Sequence, residues 1–572
     1  MSIFGNLEIG KTGLMASQFG QTVTGHNIAN ANTEGFSRQR LDQSADVNRY
    51  AGLNGVRVDG ISRFYDQFSA GKVIGEQSQL SDWKSREAYM KSVETIFQDL
   101  DGKNLNAALD NFWNAFSSAA TRPESSAERQ NVIAAAQDLI SQFQRMDQQL
   151  DEMQTSLNKE LVDQMNEVNQ LGQKIADLNQ KIQNAGEGAN ADLKDKRDVA
   201  LQQLASKMDI HWFFSKEGHL DINMPHGAAL VRGTSAYEVK PYLEPLNPEF
   251  THIGYEIAPS VLLNLSPYLK SGSLKATQTV RDDVLGSLRK DLQNLAKTLV
   301  DKTNELHASG HGMTPAYHEI ISSYSLKPQE INVPLTHLKD GTLQIQIQPD
   351  KKNAPPLLIS VPIQGGQDSL ASIAENINFA AAKTLKNNAS REKSTEEPPI
   401  SAELTPDGKI YFKAGVGYSF TFAADDSQFL SRMGVHSLIE MQEDIQNMHL
   451  NPMVEGDEMQ LALGKGENPG DNRIALAMHD LQFEKLMQNG SVTFNEFYRS
   501  IVNDVGTTTK KAIENSESHQ GILDQYEALK KQVTGVNIDE EMTNMIKYQR
   551  AYEASAKYIS TIDKMTETLI NL

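Results

Sequence analysis

Apolar residues recur at helical spacing at both ends of the chain and at strand spacing in its middle. At 100° per residue, Ile3, Leu7, Leu14 and Ile28 fall on one narrow stripe, and Phe4, Met15, Phe19 and Val23 on an adjoining one. A helix apolar over that much of its circumference needs partners on several sides. Near the other end, the a/d positions of a heptad read Met545, Tyr548, Tyr552, Ser555, Ile559, Ile562, Thr566 and Leu569, and the series Ala551, Tyr558, Met565 and Leu572 widens the seam. The seam runs to Leu572 without a polar tail, whereas chain ends are ordinarily solvated. The two terminal stripes therefore complete each other or a neighbouring copy; periodicity does not say which chain supplies the partner helix.

Between the ends, Leu157, Leu161, Gln164, Val168, Leu171, Ile175, Leu178 and Ile182 predict a long helix. It begins near Glu124, after Pro123, and stops at the Gly186-Glu187-Gly188 turn. Further helices are expected over 277–307, 473–487, 494–534 and 370–386. Short alternating runs within 210–265, and again at 341–350, 357–364, 406–415 and 417–426, read as strands, and 386–399 as a polar exposed loop. The expected fold class is α+β and multidomain: discontinuous terminal coiled-coil and helical-bundle domains with β-rich domains inserted. Residues 1–45 with 535–572 form the terminal assembly domain, and 46–210 with 271–312 and 470–534 the helical domain. Residues 211–270 form one β-rich domain and 313–450 the outer one.

At 572 residues the chain is too long for one core. Its 54 basic and 74 acidic residues give a formal charge of −20, and no dense Lys/Arg cluster interrupts that balance, which argues against binding nucleic acid or an anionic membrane. No 18-residue apolar stretch occurs, so no membrane insertion is expected, and the first 33 residues lack the basic start and unbroken apolar run of a cleavable signal. The absence of cysteine removes disulfides, thiol nucleophiles and Cys-based metal sites.

Three motif matches point to other chemistry. Gly5 to Thr12 satisfies G-x-x-x-x-G-K-[ST], but only four residues precede it, too few for the buried strand that feeds a phosphate loop, and Glu8 would face the phosphates. The segment His318-Glu319-Ile320-Ile321-Ser322 resembles a zinc helix with Ser322 in place of the second ligand. Asp99, Asp101 and Asp110 mimic part of a calcium loop that Lys103 and Asn104 spoil. No catalytic, cofactor-binding or metal residue is assigned, and no cofactor.

Six stretches, in order along the chain, resemble the hook–filament junction branch of the flagellar rod, hook and hook-associated axial proteins. Residues 16–40 carry the N-terminal signature, including Asn27, Asn30, Asn32 and Gly35; 55–68 and 105–133 are similar to the family's next two helical segments; 191–210 and 271–313 follow. The last begins at GDNRIALAMHDLQ and ends at 572, with Gly535, Val536, Asn537, Ile538, Asp539, Glu540 and Glu541 leading into a helix that contains Gln549 and Tyr552. Glu34 departs from the signature's usual proline. The resemblance implies a structural subunit of the bacterial flagellum, not an enzyme, exported without cleavage through the type III apparatus to the extracellular hook–filament junction. It implies a homo-oligomeric ring or tube, with hook protein below, a second junction protein above towards the filament, and an export chaperone at the C terminus. It also implies terminal helices that are disordered in the free monomer and order on assembly, with the β domains facing outward.

The assembly residues expected on this reading are Ile3, Leu7, Leu14, Phe19, Ile28, Met545, Tyr548, Tyr552, Ile559, Ile562 and Leu569. If Ile559 and Ile562 face only a neighbouring copy, replacing both with Asp spares the free monomer. A hook or distal-rod subunit is the alternative of the same class, against which the 535–541 stretch and the long middle helix count. A nucleotide-binding enzyme using Gly5–Thr12 is the alternative of another class. Titration with ATP separates it: no saturable binding is expected in the parent or in Lys11→Ala, and affinity in the parent that the variant loses would overturn the structural reading.

Overall fold

The computed structural model describes residues 3–48, 52–97, 104–185, 190–245, 247–313, 316–351, 354–388, 398–466 and 468–570. In chain order the first elements are α1 (Ile3–Ala29), β1 (Gln39–Asn48), β2 (Gly52–Arg63), α2 (Gln67–Phe97), α3 (Leu105–Thr121), α4 (Ser126–Ala185) and α5 (Ala191–Lys207). Short strands follow: β3 (His211–Phe214), β4 (Leu220–Asn223), β5 (Ala229–Arg232), β6 (Ser235–Ala236), β7 (Val239–Glu244), β8 (Asn247–Ala258) and β9 (Val261–Asn264). Then come α6 (Ser273–Thr279), a π-helical stretch Val280–Leu285, and α7 (Gly286–Ala308). The outer β region holds β10 (Glu319–Ile321), β11 (Gly341–Pro349), β12 (Leu357–Ile363), α8 (Leu370–Asn388), β13 (Ile400–Leu404), β14 (Ile410–Ala414) and β15 (Tyr418–Asp425). The chain closes with α9 (Phe429–Arg432), β16 (Ile439–Glu440), β17 (His449–Leu450), α10 (Pro452–Gly456), α11 (Arg473–Asp480), α12 (Phe494–Thr534) and α13 (Ile538–Ile570). The class is α+β.

The chain divides into two compact units, one of residues 1–92, 154–284 and 507–572 and the other of 93–153 and 285–506. Helices α2, α4 and α12 each contribute to both.

In the first unit, Leu161, Met165, Val168 and Ile175 of α4 and Leu201 and Leu204 of α5 share one core with Leu220, Ile222, Leu230, Val231 and Ile253 of the short strands. This differs from the expectation of a separate β-rich domain at 211–270. The sheets β3-β4-β5-β6 and β7-β8-β9 are too small to cover their own apolar faces, and the long helix covers them. Asn169 and Asn179 extend from α4 to bind strand backbone, Asn169 pairing both ways with Val239 and Asn179 donating to the Leu220 and Gly233 carbonyls. Arg281, in the π-helical stretch, is buried and donates to Asn158 Oδ1 (2.7 Å) and the Thr251 carbonyl (2.8 Å).

A second difference concerns 55–68, expected as helical. Residues up to Arg63 form strand β2, which pairs antiparallel with β1 in the register Gln39↔Arg63 and Leu41↔Ile61, and helix begins only at Gln67. The alternation of Val56, Val58 and Ile61 with Arg57 and Asp59, interrupted by one register shift between Val58 and Gly60, is a strand pattern, which the family likeness masked. The helix expected over 277–307 is likewise broken by the π-helical stretch, and that expected over 473–487 ends at Asp480. The Gly186–Gly188 turn, Asp99, Asp101, Lys103 and most of the 386–399 loop lie outside the described residues.

The second unit contains the sheets β12-β11-β15 and β10-β14-β13, all antiparallel, with α8 over them. Leu343, Ile345, Ile347, Val361, Ile373, Ile377, Phe412 and Phe420 make a dry core. In the same unit, Asn104 caps α3 by accepting the Ala107 amide (2.7 Å), and Trp113 of α3 stacks on Phe494 at 6.0 Å between ring centres.

The shared core of the first unit generates a prediction. An excised fragment 211–270 should show no cooperative melt by circular dichroism and collapsed amide dispersion by NMR. In the whole chain, Leu204→Ala on α5 should destabilise strand and helix amides together, by about 2–5 kcal/mol. An independently folding fragment would contradict the shared core.

Candidate assembly surface

Helices α1 and α13 of one chain lie antiparallel. The face that α1 turns to α13 is not one of its two apolar stripes. It is a heptad seam of small residues: Gly10, Gly13, Ser17, Gly20, Thr24 and Asn27. A Cβ at Gly10 would stand 2.6 Å from Ile559 Cγ1, one at Gly13 3.1 Å from Ser555 Oγ, and one at Gly20 2.5 Å from the Tyr548 ring. Glycine at these positions lets the α13 side chains reach the α1 backbone. Ser17 and Thr24 return their hydroxyls to the Gly13 and Gly20 carbonyls at 2.8 Å, so they present small, satisfied surface.

At one end of this seam the two motif regions meet. The Asn27 side chain is buried; its Nδ2 donates to Glu541 Oε2 and to the Gln39 carbonyl, both at 2.8 Å, while its Oδ1 accepts the Gln39 amide at 2.9 Å. Arg38 donates from Nε to Glu541 Oε1 at 2.8 Å and pairs with Glu540 at 2.9 Å, and its own amide donates to the Thr534 carbonyl at 2.8 Å. Glu541 is 2% exposed, and these partners satisfy both of its buried oxygens. Asn537 caps α13, accepting the amides of Asp539 (3.0 Å) and Glu540 (3.4 Å), and the acidic first turn suits the positive end of the helix dipole. Gly535 leaves room for the Lys531 carbonyl, which a Cβ would strike.

A second polar cluster ties the same loop to α5. The Ser37 amide donates to Asp195 Oδ2 at 3.0 Å, and Gln39 Nε2 to Asp192 Oδ1 at 2.7 Å. Buried Arg63 pairs with Asp195 and Asp198, each at 2.7 Å. Burial pushes the Asp195 carboxyl up from its usual range, against the Ser37 amide and Arg63, which pull it down. Gly35, at φ +77°, turns the loop in the left-handed region with Val199 against the position a Cβ would take.

The expected assembly residues separate into inward and outward groups. Ile562 is buried within one chain, and Met545, Tyr548 and Ile559 are half-buried there. An Asp pair at Ile559 and Ile562 would therefore burden the monomer as well as any assembly. Leu14 and Ile28 are half-buried, while Leu7 (40%), Phe19 (50%) and Tyr552 (37%) are exposed, as are Met15, Ile538, Met542, Ile546, Tyr558 and Met565. At 100° per residue, Ile538, Met542 and Ile546 border the α13 seam on one flank, and Tyr558 and Met565 on the other. On α1, Ala16 and Val23 are buried on the flank that meets the β1–β2 hairpin, where the Val56 amide donates to Thr12 Oγ1; Met15 and Phe19 are exposed. The side chains of Ile3 and Leu569 lie outside the described residues. Of the remaining motif residues, Asn30 binds the His26 carbonyl and Thr33, Asn32 is exposed, Val536 is half-buried, and exposed Gln549 reaches Glu553.

Sequence reasoning missed Arg38, Gln39, Arg63 and Asp195, whose roles depend on long-range partners. It also missed the small-residue seam, although the alternating three- and four-residue spacing of Gly10 to Asn27 was there to be read. Gly5 to Thr12 lies inside α1, so its amides follow a helix rather than ring a phosphate, and Lys11 reaches Glu8 at 3.5 Å. His318 binds the Tyr418 carbonyl beside strand β10, not on a helix. No helix among the described residues is long and apolar enough to cross a membrane.

Comparison with known proteins follows the same regions. Residues 90–317 match the model of the flagellar hook-associated protein FlgK helical domain. Residues 532–572 match the flagellar basal body rod FlgEFG protein C-terminal model, and 7–36 the flagella basal body rod protein model. Flagellar hook-associated protein 1 of Salmonella typhimurium is 26% identical over 573 residues, covering 98% of each chain. That of Escherichia coli is 25% identical over 580 residues, again 98% of each, and that of Bacillus subtilis 22% over 585 residues, 100% of this chain and 98% of that one. The solved flagellar hook junction protein FlgK from Burkholderia pseudomallei superposes with a TM-score of 0.52 at 15% identity, over 81% of this chain and 100% of that one, a likeness of fold. With the relatives aligned end to end and the helical-domain model spanning α3, α4 and α7, the chain is similar along its whole length to flagellar hook-associated protein 1.

Proposed function

We propose that the chain is a structural subunit of the flagellar axis at the hook–filament junction, and that copies assemble through the outward side of the paired helices α1 and α13. The observation that carries this reading is the split of apolar character on that pair. Small residues close it within one chain, and Met15, Phe19, Ile546, Tyr558 and Met565 stay open to solvent. An exposed apolar surface of this extent on a chain otherwise so acidic is a surface awaiting a partner.

The finer reading follows the family resemblance of the sequence. The copies form a ring or tube on the hook, with hook protein below and a second junction protein above. An export chaperone covers the C-terminal helix before assembly, and the chain leaves the cell uncleaved to reach the flagellum. The open flanks of α13 give such a chaperone apolar ground to hold.

Two substitutions separate pairing from assembly. Gly20→Leu drives a side chain into the Tyr548 ring and should destabilise the α1–α13 pair in the monomer by about 1–3 kcal/mol. It is read as loss of amide protection in both helices. The double variant Phe19→Glu, Met565→Glu changes residues that are 50% and 63% exposed, so the monomer should keep its melting temperature within a degree or two. Cells carrying only that variant should build hooks, release filament protein into the medium and fail to swim. Normal swimming by the double variant would remove the open surface from the assembly.

A further inference from the structure

The C-terminal end of α7 holds two crossing segments of the second unit by side chains alone. Asn304 Oδ1 accepts the amides of Leu438 (2.9 Å) and Ile439 (3.1 Å), and its Nδ2 donates to the Ile439 carbonyl at 2.6 Å. One turn on, His307 is fully buried between the same loop and a strap at 459–464. Its Nε2 lies 3.0 Å from the Ala462 amide, which can only donate, so this nitrogen is the acceptor. The proton of the neutral ring therefore sits on Nδ1, 2.7 Å from the His436 carbonyl. The strap is also tied by backbone bonds, from His311 to the Gly464 carbonyl, from Met313 to the Met459 carbonyl and from Ile474 and Ala475 to the Leu463 carbonyl, and by the Arg129 side chain at the Leu461 carbonyl.

We propose that His307 is an acid-operated latch, holding the 459–464 strap to α7 while its ring is neutral and releasing it when the ring takes up a proton. A second ring proton would face the Ala462 N–H, two donors with no acceptor between them. The surroundings give a charged ring no relief. Arg129 from α4, whose guanidinium donates to the Leu461 carbonyl at 2.6 Å, repels it, and the His436 ring stands 4.7 Å away. His436 in turn faces His307, His311 and the Tyr317 ring, with the Gln460 carbonyl at 3.4 Å. Among the described residues, no carboxylate bonds either imidazole.

Burial first, and Arg129 after it, hold His307 down at about 4 despite the His436 carbonyl; burial and then His307 hold His436 at about 3. Above the ordinary 6.5 both rings are neutral whether the strap is closed or open, and pH has no effect through them. Below 6.5 the opened rings gain protons that the closed ones refuse. Closure weakens from pH 6.5 down to about 4, where closed His307 itself charges.

Hydrogen exchange of the whole chain, corrected for intrinsic rates, tests this at the Ala462, Leu438 and Ile439 amides. Protection should be flat from pH 8 to 7, then fall by about tenfold per pH unit below 6.5 for each proton taken up. His307→Gln keeps a donor for the His436 carbonyl and an acceptor for Ala462 but cannot titrate, so it should retain neutral protection and flatten the acid limb. An acid limb unchanged in His307→Gln, or absent from the parent, overturns the latch. Should that variant misfold, the ring ¹⁵N shifts of His307 in the parent decide. A neutral ring protonated on Nδ1 at pH 5.5 is expected, and a charged ring with the strap still protected overturns the proposal.

Discussion

The pairing of the two chain ends depends on one buried carboxylate. Glu541 lies in the first turn of α13, and its oxygens are taken up by Asn27 from α1 and Arg38 from the loop that follows. A charge placed so deep is tolerable only with both partners in position, which makes the contact selective for one register of the two helices. A slip by one residue would leave the carboxylate unpaired. It would also move Gly20 away from Tyr548 and Gly13 away from Ser555, and the close approach of the helices would be lost.

That register decides which surface remains for other copies. Because the inner face of α1 is built of Gly, Ser and Thr, pairing with α13 uses little of its large apolar side chains. Met15 and Phe19 are left outside, and Ala16 and Val23 meet the hairpin. The hairpin and loop are in turn fastened to α5 by Asp192 and Asp195, so the helical pair is anchored to the body of its unit. An anchored pair with an open apolar side suits the assembly proposed for this subunit.

Much of this was legible in the sequence where periodicity was long. The run from Leu157 to Ile182, the limits of α12 and the alternating strands β11, β12 and β15 follow from spacing alone, because each exposes one face consistently to one environment. Residues 55–63 lie in a segment for which the family likeness implies helix, and a register shift between Val58 and Gly60 interrupts their strand alternation. The β-rich stretch 211–270 reads as a domain of its own in the sequence, because no local pattern shows that its core is completed by α4 and α5. In the candidate surface, apolar spacing marked Leu7, Phe19 and Tyr552, which are exposed in one chain, but passed over Ile538, Met542 and Ile546, and it assigned Ile559 and Ile562 without showing that α1 would meet them. The polar contacts of Arg38, Gln39 and Asp195 join positions up to 503 residues apart, and no local pattern announces them.

In the structure α1 and α13 of a single chain pair through the small-residue seam, where the family resemblance implies terminal helices that are disordered until assembly. The absence of native cysteine makes this directly measurable. A Cβ at Gly13 would stand 3.9 Å from Ser555 Cβ, within the roughly 3.5–4.5 Å that a disulfide spans. The double variant Gly13→Cys, Ser555→Cys, oxidised at high dilution, should form a disulfide within each chain, seen as a faster-migrating monomer on non-reducing gels and as one linked peptide pair by mass spectrometry. Linkage appearing only between chains, or no linkage while both thiols remain reactive, would contradict the account.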